Sequence, residues 1–366
     1  MLDKIKEKAV EEKKKWISLT GLCNNNCIFC LDGGRKDRFH RDEEEIKKQI
    51  DEGIKEEATR LVLSGGEPTI HPKILDFIKY GRQIGYKKIQ IITNGRMLAY
   101  ASFVDALKNA GLSEVTFSIH GHTKKLHETL TGVPGSFEQI IQGIKNAREK
   151  GLVVNTDTTI TKINYRHLSK IISLVYSLGI NEVNLMSIVP FGNAWRNRNK
   201  IMYKLEDVMP YVHQVIDFCN KKNMMLWFSR FPAEYLERCE DYIESYKKIV
   251  EEVLARKKDF FRKKPSCKGE RCKYCGIRDV CNELVSGFKD YSYIAYSEPP
   301  CLNKGKLAAK NIKKAGSFRQ YAELIGKNSV IKRFACNNCK FDSKCSGISR
   351  EYARIYGFKD IKPIKI

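Results

Sequence analysis

Residues 60–69 read RLVLSGGEPT and carry the clearest structural signal in the chain. The first five residues are rich in aliphatic side chains that favour strands, and the glycine pair Gly65–Gly66 follows directly. Strands commonly end at glycine, because glycine adopts turn conformations that other residues avoid. The segment therefore predicts a strand that stops at Gly65, with Glu67 just beyond its carboxyl end.

Five further segments share this pattern, and helical periods separate them. One such period is the stripe Ile140, Ile141 and Ile144. Strands spaced by helices of 10–15 residues predict βαβ units and a parallel sheet, in either a doubly wound sheet or a partial (β/α) barrel. Both architectures bind ligands at the carboxyl ends of the strands. The other five strand candidates are residues 16–20, 88–93, 114–120, 152–160 and 182–186.

The pattern changes after Gly192, and this change sets the predicted domains. Residues 205–262 have helical periods with charge-rich turns, whereas the chain beyond Pro265 has little periodicity and eight of the 13 cysteines. A region so poor in apolar residues is better held by metal than by a core. The predicted domains are an N-terminal helix at 1–15, a core at 16–204, a helical linker at 205–265 and a cysteine-rich extension at 266–366.

Composition narrows the class of protein. The 366 residues are 42% hydrophobic and 30% charged, which excludes a disordered or collagen-like chain. No apolar run approaches the roughly 18 residues of a membrane span, and the first residues lack the apolar core of a secretory signal. We therefore expect a cytoplasmic protein without a membrane partner. In a reducing compartment, thirteen cysteines indicate metal sites or catalytic thiolates.

Positive charge is concentrated in the last third of the chain. The net charge is +23, and residues 256–273 and 301–333 contribute +7 and +8 of it. Such a concentration favours an anionic partner or an anionic centre nearby.

The first chemical motif is CNNNCIFC, which places Cys23, Cys27 and Cys30 just after the first predicted strand. Three thiolates this close can hold three irons of a [4Fe–4S] cluster and leave the fourth iron open to another ligand. The alternative is a structural zinc ion with His40 as the fourth ligand. Spacing alone leaves both interpretations open.

The second motif is GGEPT, residues 65–69. Paired glycines allow a ligand to approach the backbone, and Glu67 offers an acceptor for an ammonium group. The alternative is a strand-to-helix turn in which Glu67 favours the helix N-terminus. Because this motif and the cysteine motif follow adjacent strands, the functional interpretation is favoured.

With these motifs the chain resembles the radical S-adenosylmethionine (radical SAM) superfamily over residues 16–195. TNG at 93–95, SIHG at 118–121 and PFG at 190–192 extend the resemblance. It implies a partial (β/α)6 TIM-like barrel whose [4Fe–4S] cluster binds SAM at its open iron. Reductive cleavage of SAM would give methionine and a 5′-deoxyadenosyl radical, which abstracts hydrogen from a substrate. By motif, the cluster ligands would be Cys23, Cys27 and Cys30.

The resemblance also assigns SAM contacts by motif. Phe29 would pack by the adenine, and Ser118 would lie near the ribose. The methionine amino group would meet Gly65, Gly66 and Glu67, while Thr93 and Asn94 would lie near SAM.

His120 departs from the superfamily pattern. Relatives with extra clusters often have an aspartate in the fourth-strand motif where this chain has His120, so the role of that acid is not transferred. His122 and His127 follow closely and allow a second metal site. Hydrogen-bonded or SAM-adjacent histidines are the favoured interpretation.

The C-terminal cysteines repeat the spacing CxxCx5C, which resembles the SPASM and twitch extensions of radical SAM enzymes. The match is partial, because the repeat is doubled and the usual downstream cysteine is missing after both copies. We expect one or two auxiliary [4Fe–4S] clusters, with zinc ribbons as the alternative. The predicted metal ligands there are Cys267, Cys272, Cys275, Cys281, Cys301, Cys336, Cys339 and Cys345.

Three functional hypotheses follow. The first is a radical SAM oxidoreductase or maturase acting on a peptide or protein side chain, with a ferredoxin- or flavodoxin-like electron donor. The second is the same chemistry on tRNA or another phosphate-bearing substrate, motivated by the positive charge near the C-terminal cysteines. Trp195, Arg196, Arg198 and Lys200 could stack on a base and bind phosphate, but a solvated loop is the favoured interpretation of that segment. The third is a non-catalytic iron–sulfur or zinc protein that binds nucleic acid.

Overall fold

The protein was analysed as a computed structural model, which describes residues 12–34, 39–231 and 242 and the backbone of 293–296, 311–314, 330–331 and 348–349. The chain divides into two compact units, Met1–Leu226 and Trp227–Ile366. No helix among the described residues is long and apolar enough to cross a membrane.

Within the described residues, seven strands form one open sheet in the order in which they occur along the chain. Neighbouring strands are parallel from the first to the sixth, as the βαβ pattern predicts. This α/β architecture confirms the partial-barrel prediction. The strands are β1 (Lys14–Thr20), β2 (Arg60–Gly65), β3 (Lys88–Thr93), β4 (Glu114–Ser118), β5 (Val153–Thr159), β6 (Glu182–Met186) and β7 (Met225–Ser229).

Helices connect the strands, and two of the described α-helices begin with a side-chain cap, from Asp42 and Thr123. Asp42 caps the first helix by accepting from the Glu45 backbone N–H at 3.1 Å. The α-helices are α1 (Glu43–Lys55), α2 (Ile74–Gln83), α3 (Ala101–Ala110), α4 (Lys124–Thr131), α5 (Ser136–Glu149), α6 (Leu168–Ser177), α7 (Gly192–Arg196), α8 (Arg198–Ile201) and α9 (Leu205–Lys222). Short 3-10 turns lie at Pro68–Ile70, Met97–Ala99 and Tyr165–His167.

Two predicted boundaries are wrong. Lys14 and Lys15 belong to β1, so the predicted helix at 1–15 does not include them; its residues 1–11 lie outside the described part. Residues 225–229 form β7 rather than part of a helical linker. This short run, MLWFS, follows α9 after a single left-handed residue, Asn223, and no glycine marks the change.

Two antiparallel strand pairs are described in the second unit. Tyr293–Tyr296 pairs with Asn311–Lys314, and Val330–Ile331 pairs with Ile348–Ser349.

One face of the sheet is apolar and packs against helices. Leu61, Leu63 and Ile89 are fully buried. Gly81 of α2 lies so close that an added Cβ would come within 2.8 Å of Leu61. The opposite face carries the alternate residues of each strand, and these are largely polar.

Five polar side chains on that face form a closed ring of hydrogen bonds, which we call the polar ring: Arg60, Gln90, Glu114, Thr116 and Asn155. Arg60 donates to Gln90 at 3.1 Å, and Gln90 donates to Thr116 at 2.7 Å. Thr116 then donates to Asn155, which donates to Glu114 at 2.8 Å. An ion pair from Glu114 to Arg60 closes the ring. Each of these five links joins a donor to an acceptor, as burial favours, and Arg60 also pairs with Glu12 at 2.9 Å outside the ring.

Candidate active site

The three cysteines of the CNNNCIFC motif lie together in a loop after β1. Cys23, Cys27 and Cys30 are half-buried thiols, and none forms a disulfide. Burial raises the pKa of Cys23 to about 11, and it raises the pKa of Cys27 well above its usual value. The neighbouring thiols add to both shifts, because like charges disfavour ionisation. The three sulfurs therefore lie so close together that all three would ionise only beside a positive centre.

The backbone of this loop is held from the side of α4. The Asn26 N–H donates to the Thr131 carbonyl at 2.9 Å, and the Ile28 N–H donates to the Leu130 carbonyl at 3.0 Å. These bonds fix the middle of the loop against the last turn of a helix.

A second segment, α7 and α8, holds the loop through asparagine side chains. Asn193 donates from its amide to the Cys27 carbonyl at 3.0 Å and from its backbone N–H to the Cys30 carbonyl at 2.9 Å. Asn197 donates to the Ile28 carbonyl at 3.0 Å. At Gly192 an added Cβ would lie 2.4 Å from the Leu31 carbonyl oxygen, so only glycine permits this approach.

The end of β3 holds the loop from a third side. Asn94 donates to the Asn24 side chain at 2.7 Å, and Arg96 donates to the Asn24 carbonyl and to Asn25 Oδ1. Arg96 is anchored in turn to Gln139 of α5 at 2.6 Å. Within the described part of the chain, no carboxylate lies within ion-pair distance of this guanidinium.

The two glycines of GGEPT let another segment of this chain, the base of the cysteine loop, approach closely. The Gly66 N–H donates to the Thr20 carbonyl at 2.7 Å, and an added Cβ on Gly66 would lie 2.1 Å from the Leu22 carbonyl oxygen. The neighbour that requires glycine here is therefore the base of the cysteine loop. Contact of Gly65 and Gly66 with the amino group of SAM stays a prediction.

The Glu67 carboxylate is fully buried and joins the ends of β2 and β3. Its Oε1 accepts from the Thr69 backbone at 3.0 Å, from the Thr69 hydroxyl at 2.6 Å and from Thr93 at 2.7 Å. Its Oε2 accepts from the Asn94 N–H at 2.7 Å. Burial raises the pKa of Glu67 despite these donors. Glu67 also accepts as the cap of the 3-10 turn, so it has the structural role weighed above; contact with a SAM ammonium stays a prediction.

His120 lies beside Phe29 after the end of β4. The two rings meet edge to face, with centroids 4.6 Å apart. His120 Nδ1 accepts from the Thr159 backbone N–H at 3.2 Å, and the His120 backbone N–H donates to His127 Nδ1 at 3.3 Å. Burial lowers the pKa of both histidines, to about 4 for His127. They are therefore neutral, hydrogen-bonded histidines, in line with the favoured interpretation. Ser118 ends β4 opposite Asp157 in register.

The zinc alternative finds no support in the described residues, which contain no group of three or more His, Cys, Asp or Glu side chains placed to hold one metal ion. His40 lies against His71 instead, with ring centroids 4.7 Å apart. His122 lies against His167, with ring centroids 5.3 Å apart. A cubane cluster differs from a single ion, because each thiolate binds its own iron and the sulfurs stay further apart. The three half-buried thiols, whose ionised forms would repel one another, fit such a cluster.

The Trp195 segment is largely engaged by the protein itself. Arg198 stacks on Trp195 at 4.6 Å, and Arg196 donates to the Gly34 carbonyl at 3.2 Å. Lys200 is exposed.

Sequence reasoning missed the residues that hold the cysteine loop, namely Asn25, Arg96, Asn193 and Asn197. The only available signal was the run of three asparagines between two cysteines, an unusual density of side chains that both donate and accept.

All eight predicted auxiliary ligands, Cys267 to Cys345, lie outside the described residues, as does Cys239. Cys219 is a buried thiol of α9, and burial raises its pKa to about 12.

The sequence profile of the radical SAM superfamily matches residues 17–175. A probable GTP 3′,8-cyclase from Saccharolobus islandicus is 30% identical over 203 residues, which are 55% of this chain and 63% of that protein. A probable GTP 3′,8-cyclase from Sulfurisphaera tokodaii is 31% identical over 194 residues, 52% of this chain and 61% of that protein. The chain thus spans less than two thirds of the length of these relatives.

Two solved structures share the fold at low sequence identity. Streptococcus suis SuiB bound to the precursor peptide SuiA is 17% identical with a TM-score of 0.54, covering 79% of this chain and 76% of SuiB. Native anSMEcpe with bound AdoMet and the Kp18Cys peptide is 16% identical with a TM-score of 0.53, covering 96% of this chain and 93% of that one. Motif order, sheet topology and sequence match agree. Residues 17–175 therefore form a radical SAM domain, the part of the chain that the superfamily profile matches.

Proposed function

We propose that this protein reductively cleaves SAM at a [4Fe–4S] cluster held by Cys23, Cys27 and Cys30. Enzymes of this superfamily use both groups, and the chemistry these supply is the release of methionine and a 5′-deoxyadenosyl radical that takes hydrogen from a substrate. The observation that carries the proposal is the cysteine loop. Its three thiols are half-buried and close together, and three separate segments hold its backbone in place.

The residues around the loop have distinct proposed tasks. Phe29 packs by the adenine, and the edge contact with His120 fixes the plane of its ring. Gly65, Gly66 and Glu67 bind the methionine end, either directly or through the loop base that they support. Thr93 and Asn94 act in the same place, since both bond to Glu67.

The test is anaerobic reconstitution followed by assay of 5′-deoxyadenosine with SAM and dithionite. Replacing Cys23, Cys27 and Cys30 together by Ala should reduce product to background. The matched control is Cys219→Ala, which removes a buried thiol from α9 and should leave cleavage intact. Unchanged cleavage in the triple variant would refute the assignment. A wild-type protein that holds iron but never cleaves SAM would favour a non-catalytic iron–sulfur protein.

We further propose auxiliary iron–sulfur clusters in the C-terminal region, supported by the doubled CxxCx5C spacing. Reconstituted protein should then contain more than four irons per chain. The content should fall towards four when Cys272, Cys275, Cys336 and Cys339 are replaced. Four irons with one or two zinc ions would instead indicate zinc ribbons.

For the substrate, we propose a peptide or protein side chain, an inference from fold similarity to SuiB and anSMEcpe and thus from analogy. The second candidate is a phosphate-bearing molecule, which the GTP 3′,8-cyclase relatives and the C-terminal basic stretches favour. GTP or tRNA that accelerates 5′-deoxyadenosine release would establish the second candidate. RNA binding should then weaken steeply with salt, because displaced counterions drive it. A ferredoxin- or flavodoxin-like donor and a cytoplasmic location stay predictions.

A further inference from the structure

The three asparagines between Cys23 and Cys27 have different surroundings. Asn25 is only 8% exposed, whereas its neighbour Asn26 is exposed to solvent. A buried amide needs partners for its two N–H groups and its carbonyl, so Asn25 must be hydrogen-bonded within the loop.

The partners of Asn25 are the two cysteines and one arginine. Its backbone N–H donates to Cys23 Sγ at 3.4 Å, and its side chain hydrogen-bonds the Cys27 thiol. Arg96 donates to Asn25 Oδ1 at 3.3 Å. Because a guanidinium can only donate, it fixes which end of the amide is the oxygen, and the NH2 group points away from it, toward Cys27.

Asn94 approaches Cys23 from the end of β3. Its Nδ2 donates to Asn24 Oδ1 at 2.7 Å and makes a long contact with Cys23 Sγ at 3.9 Å. Its Oδ1 accepts from the Arg96 N–H at 3.1 Å, and its own backbone N–H donates to Glu67. The orientation of this amide is therefore also fixed, with its NH2 group toward the cysteine loop.

Donors to sulfur change the reduction potential of an iron–sulfur centre. Reduction adds negative charge that spreads onto the sulfur ligands, and an N–H group aimed at a sulfur stabilises the reduced state more than the oxidised state. Buried donors act strongly, since little solvent screens them.

We propose that Asn25 and Asn94 are positioning residues whose side-chain amides donate to the Cys27 and Cys23 sulfurs and raise the reduction potential of the cluster held there. Arg96 holds both amides in the donating orientation, through its guanidinium at Asn25 Oδ1 and its backbone N–H at Asn94 Oδ1. This inference rests on the proposed cluster at Cys23, Cys27 and Cys30.

The experiment compares Asn25→Ala and Asn94→Ala with Asn26→Ala, a matched control from the same loop whose side chain is exposed. Full-length reconstituted protein is titrated with dithionite, and EPR follows the reduced cluster whose signal changes when SAM is added. The midpoint potential should shift to more negative values in Asn25→Ala and Asn94→Ala and stay unchanged in Asn26→Ala. At the wild-type midpoint, less than half of the cluster should then be reduced in the first two variants.

Equal midpoints in Asn25→Ala, Asn94→Ala and the control would overturn the proposal while leaving SAM cleavage intact. Absence of a SAM-responsive cluster in the wild type would instead refute the proposed function, and this inference with it. If Asn25→Ala fails to take up the cluster, wild-type protein with 15N only in asparagine side-chain amides decides the question. Electron spin-echo spectroscopy of its reduced cluster should detect coupling to that nitrogen, and no coupling would overturn the proposal.

Discussion

The two ends of the parallel sheet are both lined by buried polar side chains, but they differ in how those groups are satisfied. At the amino end, the polar ring pairs each donor with an acceptor, and the Arg60 charge meets that of Glu114. At the carboxyl end, the backbone of the cysteine loop is equally well bonded, whereas burial raises the pKa of Cys23 and Cys27.

The comparison distinguishes polar groups that the protein itself satisfies from thiols that burial keeps un-ionised. The polar ring needs nothing further, so its contribution is to stability. The thiols of the cysteine loop would become favourable anions only beside a positive centre, because metal coordination deprotonates a thiol that burial keeps neutral. The amino end of the sheet therefore has a structural role, whereas the carboxyl end carries the reactive thiols.

The largest effect should come from breaking the polar ring with Glu114→Ala. Removing its carboxylate leaves two buried donors, on Asn155 and Arg60, without their acceptor, while Glu12 still pairs with Arg60 at 2.9 Å. At about 1–3 kcal/mol for each unsatisfied donor, we expect a loss of about 2–6 kcal/mol in the free energy of unfolding, measured by urea titration. SAM cleavage per folded molecule should be unchanged. The control is Glu57→Ala, which removes an exposed ion pair with Lys13 and should have no measurable effect. Equal stability of the two variants would contradict the structural role.

A smaller effect is expected from Glu67→Gln at the carboxyl end. The substitution keeps the shape of the side chain, but it turns an NH2 group toward the Asn94 N–H or toward the hydroxyls of Thr69 and Thr93. One unsatisfied buried donor costs about 1–3 kcal/mol in unfolding free energy.

SAM affinity should also fall in Glu67→Gln, with iron content retained, because the ends of β2 and β3 that Glu67 joins support the cysteine loop. Glu128→Gln is the control, since the amide oxygen of Gln can still accept the Gly135 N–H that Glu128 accepts. Loss of stability without loss of SAM affinity would separate Glu67 from the ligand site.

The smallest effect should be a pH dependence that His127 causes. Its pKa falls from 6.5 to about 4 on folding, so the unfolded chain binds a proton that the folded protein rejects. Stability is therefore lost as the pH falls below 6.5, by about 1.3 kcal/mol per such histidine between about pH 7.5 and about pH 5.5. His127→Asn keeps an acceptor for the His120 N–H and should remove this share of the loss, as urea titrations at both pH values would show. An unchanged pH dependence would mean that His127 is accessible to protons in the folded state.

Sequence patterns located six of the seven strands because each is a short apolar run with a turn residue after it. Residues 88–93 and 182–186 were predicted with the bounds that the structure has. The seventh strand was missed since MLWFS directly follows a long amphipathic helix and lacks such a mark. The cysteine and GGEPT motifs were recognisable for a different reason: few residue types supply thiolates, or tolerate a backbone contact as close as that at Gly66.

The sequence by itself determined the positions of six strands, the cysteine spacing and the residue types that the chemistry needs. Only the tertiary structure decided which partners hold those residues. Asn193 reaches the Cys27 carbonyl across 166 positions of the chain, and Arg96 reaches Asn25 across 71. For the same reason, only the structure shows that Glu67, which was expected to meet a ligand, accepts hydrogen bonds from four donors of the protein. Local patterns follow from backbone geometry and side-chain burial, whereas hydrogen bonds between distant segments exist only after the sheet has brought the ends of its strands together.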